Sequence, residues 1–147
     1  MKGWTETNLE NKKKAGTIKG YTMPKKKKCK HEIGGRIVTK IYLTDSNEKN
    51  SILINLFEWS QKRAYTLYEE YFFTLERRYR FDWAIPEIKL AVEYEGGLFQ
   101  KQSGHKSAKG IMRDIEKYRM AEDLGWKVIR LHLLNYSELN QLLNKIQ

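Results

Sequence analysis

From Arg80 to Gly97 the chain reads RFDWAIPEIKLAVEYEGG, and this stretch limits the fold more than any other. Two aromatic and aliphatic runs, Tyr79–Ala84 and Lys89–Glu95, read as strands. Pro86 has no N–H to donate and restricts Ile85, so it closes the first run. Gly96-Gly97 ends the second. Side chains alternate along a strand, so Leu90, Val92 and Tyr94 should share one face, with Ala91, Glu93 and Glu95 on the other. On the preceding strand Phe81 and Trp83 should share a face, opposite Arg80 and Asp82. If the strands are neighbours with their apolar faces matched, Asp82 lies beside Glu93. Three carboxylates (Asp82, Glu93 and Glu95) then converge on one wall.

Such a wall conflicts with the charge of the chain, which is +10 over 147 residues. Like charges in a partly dry site repel, and a divalent cation relieves that repulsion. Hard oxygen ligands suit Mg²⁺, with Mn²⁺ able to substitute. In phosphodiester hydrolysis such a metal can polarise the phosphoryl oxygen, activate water and steady the leaving oxygen. The competing reading is a pair of surface strands with a polar outer face.

The positive charge is concentrated at one end. Residues 1–40 hold 12 Lys and Arg against 3 acidic residues, a net of +9, whereas residues 41–147 hold 16 against 15, a net of +1. The first 35 residues read as a basic, flexible arm, with Gly16, Gly20 and Pro24 interrupting any helix. Its lysines Lys25, Lys26, Lys27, Lys28 and Lys30 are candidates for binding nucleic acid, or form a solvated tail. Large apolar anchors for a membrane surface are scarce in the arm, and no run has the length of a membrane span. Cys29 stands alone, which excludes an internal disulfide and a cysteine-built metal site and fits a reducing interior.

The remainder, 36–147, reads as one α/β domain. Strands are expected at 36–44, 71–74 and 126–133 beside the two above. Helices are expected at 48–61, 111–124 and 136–146, with 98–110 as a loop. Asp45-Ser46-Asn47 is a turn or helix cap, Gly125 is a helix stop, and Asn135 and Ser137 are candidate caps. On the helix 111–124, Asp114 and Lys117 are neighbours, with Arg113 near that side as a further candidate for binding nucleic acid. Lys117 either faces the carboxylates, where it could orient water or stabilise transition-state charge, or forms a surface ion pair. His105, in a glycine-bounded loop, is either exposed or placed to act on a proton or phosphate.

The runs RRYRFDWAIPEIKLAVEYEGG, GHK and GIMRDIEKYRMAEDLGWKVIRL together resemble the PD-(D/E)XK nuclease superfamily. The resemblance is nearest to the small single-domain branch similar to very-short-patch-repair and phage or mobile-element endonucleases, and it spans roughly residues 70–133. It implies a restriction-endonuclease-like mixed β-sheet flanked by helices, and Mg²⁺-dependent cleavage of DNA. It further implies that Asp82 is the central metal-binding aspartate and Glu93 the second metal ligand, with the Tyr94 carbonyl also facing the metal. An acidic residue on the first helix, Glu48 in preference to Glu58, would complete the set. His105 matches a histidine of this branch. The superfamily's lysine two positions after the second acid is absent and Glu95 stands there, so Lys117 becomes the candidate to take over its role, with Asp114 and Arg113 in support. Cutting both strands calls for two sites, which a homodimer would supply. A cytoplasmic location in a bacterial or phage-infected cell follows from the same resemblance. The alternative is a non-catalytic nucleic-acid-binding protein on a decayed nuclease fold, which has no need of acids that repel phosphate.

Overall fold

The structure, a computed structural model, describes residues 31–96 and 107–146. Its organising element is a five-stranded mixed sheet in the order β1-β2-β3-β4-β5. The strands are β1 (Gly34–Ile37), β2 (Tyr68–Phe72), β3 (Arg80–Ile85), β4 (Leu90–Tyr94) and β5 (Lys127–Leu131). The first four run antiparallel in succession, and β5 returns parallel to β4. A parallel return needs a crossover, and helix α2 (Ala108–Asp123) lies on it. Helix α1 (Asn47–Lys62) connects β1 to β2, and the short α3 (Leu139–Asn144) follows β5.

The helices cover both faces of the sheet. On one face, Ile52, Leu53, Leu56 and Trp59 of α1 join Leu139 and Leu143 of α3 against Trp83, Ile85, Leu90, Val92, Ile129 and Leu131. Each fully buried aliphatic side chain here is worth about 1.5–3 kcal/mol. On the other face Ala121 of α2 packs with Tyr71, Phe73, Phe81, Ala84 and Ala91. A small residue at 121 lets the helix approach, and the rings of Phe73 and Phe81 stack 4.2 Å apart beneath it. Strand β4 is therefore covered on both sides, and Leu90, Ala91, Val92 and Glu93 are all buried.

The expected helix over 48–61 forms as 47–62, capped by the Ser46 side chain accepting from the Lys49 N–H. Its buried positions are Ile52, Leu53, Leu56, Trp59 and Ser60, and Phe57 is only partly buried. Gly125 stops α2 with φ +80°, a conformation that costs a residue with a Cβ. Other expectations need correction. The strand expected over 36–44 is confined to 34–37, so the sheet starts ahead of the expected boundary at 36. Gly35 explains the close pairing there, because a Cβ on it would lie 2.5 Å from the Glu69 carbonyl oxygen. After Val38 donates to the Leu67 carbonyl, the chain turns away, and Thr44 bonds to the Asn50 side chain.

Strand β2 begins three residues earlier than expected. Pro86 opens a 3-10 turn, Pro86–Ile88, which Lys89 closes in the left-handed region at φ +48°. Helix α2 also begins earlier. Ser107 accepts from the Gly110 N–H, so residues 108–110 are helical rather than loop. The last helix splits into a 3-10 turn, Tyr136–Glu138, and α3. Asn135 does not cap it, because its side chain accepts from the His132 N–H at 2.7 Å.

The remaining correction concerns faces. Phe81 packs beneath α2 while Trp83 packs beneath α1, so they do not share a side. The alternation breaks at Asp82, which leads to the site. No helix among the described residues is long and apolar enough to cross a membrane.

Candidate active site

Strands β3 and β4 pair from Ile85↔Leu90 to Trp83↔Val92. Continued in that register, the next hydrogen-bonded rung would join Phe81 to Tyr94. Instead the Asp82 carboxylate enters the gap, and its Oδ2 accepts the Tyr94 N–H at 2.9 Å. One displaced rung thus explains the broken alternation and fixes Asp82 against the backbone next to Glu93. Residues of an extended strand direct N–H and C=O to one edge. The Glu95 N–H points the other way, to the Leu131 carbonyl. The Tyr94 carbonyl therefore faces the same gap as Asp82.

Glu93 lies under α2 with only 6% of its surface exposed. A charge there needs partners, and the helix supplies them. Lys117 Nζ pairs with Glu93 Oε1, and the Tyr118 hydroxyl donates to Oε2 at 2.5 Å. Burial raises the Tyr118 pKa most, followed by its hydrogen bond to Glu93; the hydroxyl thus remains a donor across the neutral range. Beside Tyr118, Arg130 lies over its ring at 4.4 Å and pairs with Glu95. Arg130 is opposite Glu93 in the β4–β5 register. Burial works against its charge, but the hydrogen bond to Glu95 and the surrounding anions outweigh it, and its pKa is raised.

In front of Asp82 the surface opens into a groove of about 710 Å³. Asp82, Asp114 and Lys117 line it, together with Phe72, Arg78, Tyr79, Arg80, Gly110 and Arg113. The structure thus brings Asp82, Lys117, Arg113 and Asp114 to one cavity and Glu93 into contact with Lys117. Lys117 makes its ion pair with the strand, not with a neighbour along its own helix.

The wall of three convergent carboxylates does not form. Glu93 and Glu95 share the α2 face, but Glu95 is committed to Arg130 and Asp82 occupies the strand gap. Among the described residues no group of three or more His, Cys, Asp or Glu side chains could hold a metal ion. Glu48 sits at the start of α1, where its carboxylate accepts from the Ser46 hydroxyl. It lies near enough to the Tyr94 hydroxyl to help raise that group's pKa, after burial, but it does not join a metal-binding group with the carboxylates of β3 and β4. Glu58 is exposed, ten residues further along α1, about 15 Å away at 1.5 Å per residue. His105, Lys25, Lys26, Lys27, Lys28 and Lys30 lie outside the described residues.

Tyr118 and Arg130 were not anticipated. The signal for Tyr118 lies in the helix period, because Asp114, Lys117, Tyr118 and Ala121 form one stripe and Ala121 is its buried member. Arg130 follows from β5 alternation: Ile129 and Leu131 enter the α1-side core, leaving Val128 and Arg130 on the α2 side. No protein-family model, curated protein or solved structure matches the chain.

Proposed function

We propose that the chain is a Mg²⁺-dependent DNA endonuclease with a PD-(D/E)XK-type site on a restriction-endonuclease-like sheet. The observation that carries the reading is the joint placement of Asp82 and Lys117. Asp82 is pinned where two strands part, directly beside buried Glu93, and Lys117 reaches that same Glu93 from the helix over the groove.

The donor set fits a hard cation of the Mg²⁺ type. Two carboxylates and a backbone carbonyl provide oxygen only, and Mg²⁺ keeps several waters rather than demanding a cage of protein ligands. A carboxylate offers about four acceptor positions, so Glu93 retains capacity beyond Lys117 and Tyr118. Asp82, Glu93 and the Tyr94 carbonyl would hold the ion. Bound there, it would lower the pKa of a water and polarise a phosphoryl oxygen.

The side chains have separate tasks. Asp82 is oriented by the Tyr94 N–H. Glu93 is held at both oxygens, one by Lys117 and one by Tyr118. Lys117 lines the groove and presents its ammonium to charge developing on a phosphate. Glu95 holds Arg130 against Tyr118 and so steadies the support behind Glu93, in place of a strand lysine.

A second reading follows from the same contacts. Glu93 is already satisfied by Lys117 and Tyr118, as it would be in a purely structural ion pair, and the chain would then bind nucleic acid without cutting it. Linear, supercoiled, mismatched and four-way DNA incubated with and without Mg²⁺ or Mn²⁺, beside Asp82→Asn and Glu93→Gln, separates the readings. The nuclease reading expects metal-dependent cleavage lost in both variants with DNA binding retained. Full cleavage in either variant overturns the mechanism, and no cleavage of any substrate favours the binding protein.

A further inference from the structure

The candidate groove continues past the carboxylates. A second groove of about 630 Å³, lined by Arg77, Arg78, Tyr79, Lys109, Met112, Arg113 and Glu116, adjoins it. Arg78, Tyr79 and Arg113 line both, so these three stand on the divide and the two grooves form one trough. Its cations are Arg77, Arg78, Arg80, Lys109, Arg113 and Lys117. Its acids are Asp82, Asp114 and Glu116.

Several of the cations are already engaged. Arg77 pairs with Glu116 at 3.1 Å, Arg80 with Glu70 at 2.5 Å, and Lys117 with Glu93. Among the described residues Arg113 has a distant ring contact, 6.0 Å from the Tyr79 centroid, and no hydrogen bond or ion pair. Arg78 and Lys109 have no hydrogen bond or ion pair among the described residues. Tyr79, buried beneath them, donates to Glu116 at 2.9 Å, which keeps that acid turned toward Tyr79 and Arg77. Unpaired guanidinium groups at the mouth of a groove are high in potential and open to an anion. Their planar forks match phosphate oxygens better than an ammonium does.

We propose that this trough is the track for a nucleic-acid strand, with Arg78 and Arg113 as its phosphate anchors and Lys109 at its outer end. The proposal rests on the nuclease reading for the identity of the polymer. It adds a binding surface on the folded domain, separate from the lysines of residues 25–30. The strand passes Lys109 and Arg113, crosses the divide at Arg78, and is delivered to Asp82.

The test is equilibrium binding of the full chain to a fluorescent 20-nucleotide DNA and its duplex, without divalent metal, from 50 to 200 mM salt. Arg78→Ala and Arg113→Ala are compared with Lys62→Ala, which removes a charge from α1 on the opposite face. Each phosphate contact contributes about 0.7–0.9 to the logarithmic salt slope. Each arginine variant should therefore bind several-fold more weakly at 50 mM, and its deficit should shrink roughly 3-fold by 200 mM. Lys62→Ala should match the parent chain. Equal losses at Lys62 and Arg78, or none at Arg78 and Arg113, overturn the proposal. So does equal arginine-dependent affinity for a poly-glutamate peptide, or no DNA binding at all. Arginine-dependent binding without cleavage under any metal supports the trough and overturns the nuclease reading alone.

Discussion

Replacing Lys117 by Met keeps most of the side-chain volume and removes the charge facing Glu93. The Glu93 side chain is 9% exposed and that of Lys117 17%, so the pair is largely but not wholly shielded from water. Breaking a fully buried pair by deleting one partner costs about 3–5 kcal/mol. Tyr118 still donates to the stranded carboxylate, and water can enter from the groove beside position 117. Both reduce the loss, to about 2–4 kcal/mol. At about 2–4 °C per kcal/mol for a chain of this size, Tm should fall by roughly 4–16 °C. The decisive measurement is a double-mutant cycle with Glu93→Gln, read from urea midpoints at constant m. The two changes together leave a neutral amide beside a thioether. The double variant should therefore lie closer to the parent than Lys117→Met does, with a coupling of at least ~1 kcal/mol. Additive losses, or a single-variant loss below about 0.5 kcal/mol, would refute the claim that Lys117 neutralises a buried Glu93. Stability reports on the pair whether or not the protein cuts DNA.

Gly35→Ala should cost about 2–3 kcal/mol, because its Cβ would meet the Glu69 carbonyl at 2.5 Å; an unchanged urea midpoint would contradict the close strand contact. Tyr118 has its pKa raised in the fold, chiefly by burial. Its contribution is thus fully present below the ordinary tyrosine pKa, near 10, and lost as pH rises above it. Tm should decline from about pH 10 upward, and Tyr118→Phe should flatten that decline; identical Tm–pH curves would remove the argument. Deleting residues 2–30 should weaken DNA affinity and lower its salt slope, and titrations that superimpose with the full chain would deny the arm a role.

Most of the sheet was legible because strand punctuation is local. Pro86, Gly125 and the aromatic runs mark where elements stop, and Ser46 marks where α1 starts. What failed did so for tertiary reasons. The β-branched run after Arg36 has strand propensity, but pairing with β2 ends once Val38 has bonded to Leu67. Period two predicted the faces of β4 correctly and those of β3 wrongly, because a side chain replaced a backbone rung at Asp82. That substitution depends on a carboxylate meeting a free N–H on another strand, which no local pattern encodes. The candidate site was legible as a set of residue types and only partly as a geometry. Asp82, Glu93 and Lys117 stand out as charges in apolar surroundings. Which cation goes to which acid depends on α2 lying over β4 and on β5 entering in the register that sets Arg130 opposite Glu93.

That register also explains how Glu95 can occupy a position where a lysine would serve the proposed site. A cation at 95 would project to the α2 face beside Arg130, two like charges competing for Glu93 in a poorly solvated layer. An acid at 95 instead binds Arg130 and draws it over the Tyr118 ring, leaving Glu93 to Lys117. The stripe Asp114, Lys117, Tyr118 and Ala121 makes this exchange sterically open. Ala121 lets the helix approach, and Lys117, one turn earlier, then reaches the strand carboxylate while still bordering the groove. A strand lysine would be fixed by β4 alone. A helix lysine depends on α2 docking, so in this chain the packing of Ala121 against Phe81 and Ala91 and the electrostatics of Glu93 are one requirement.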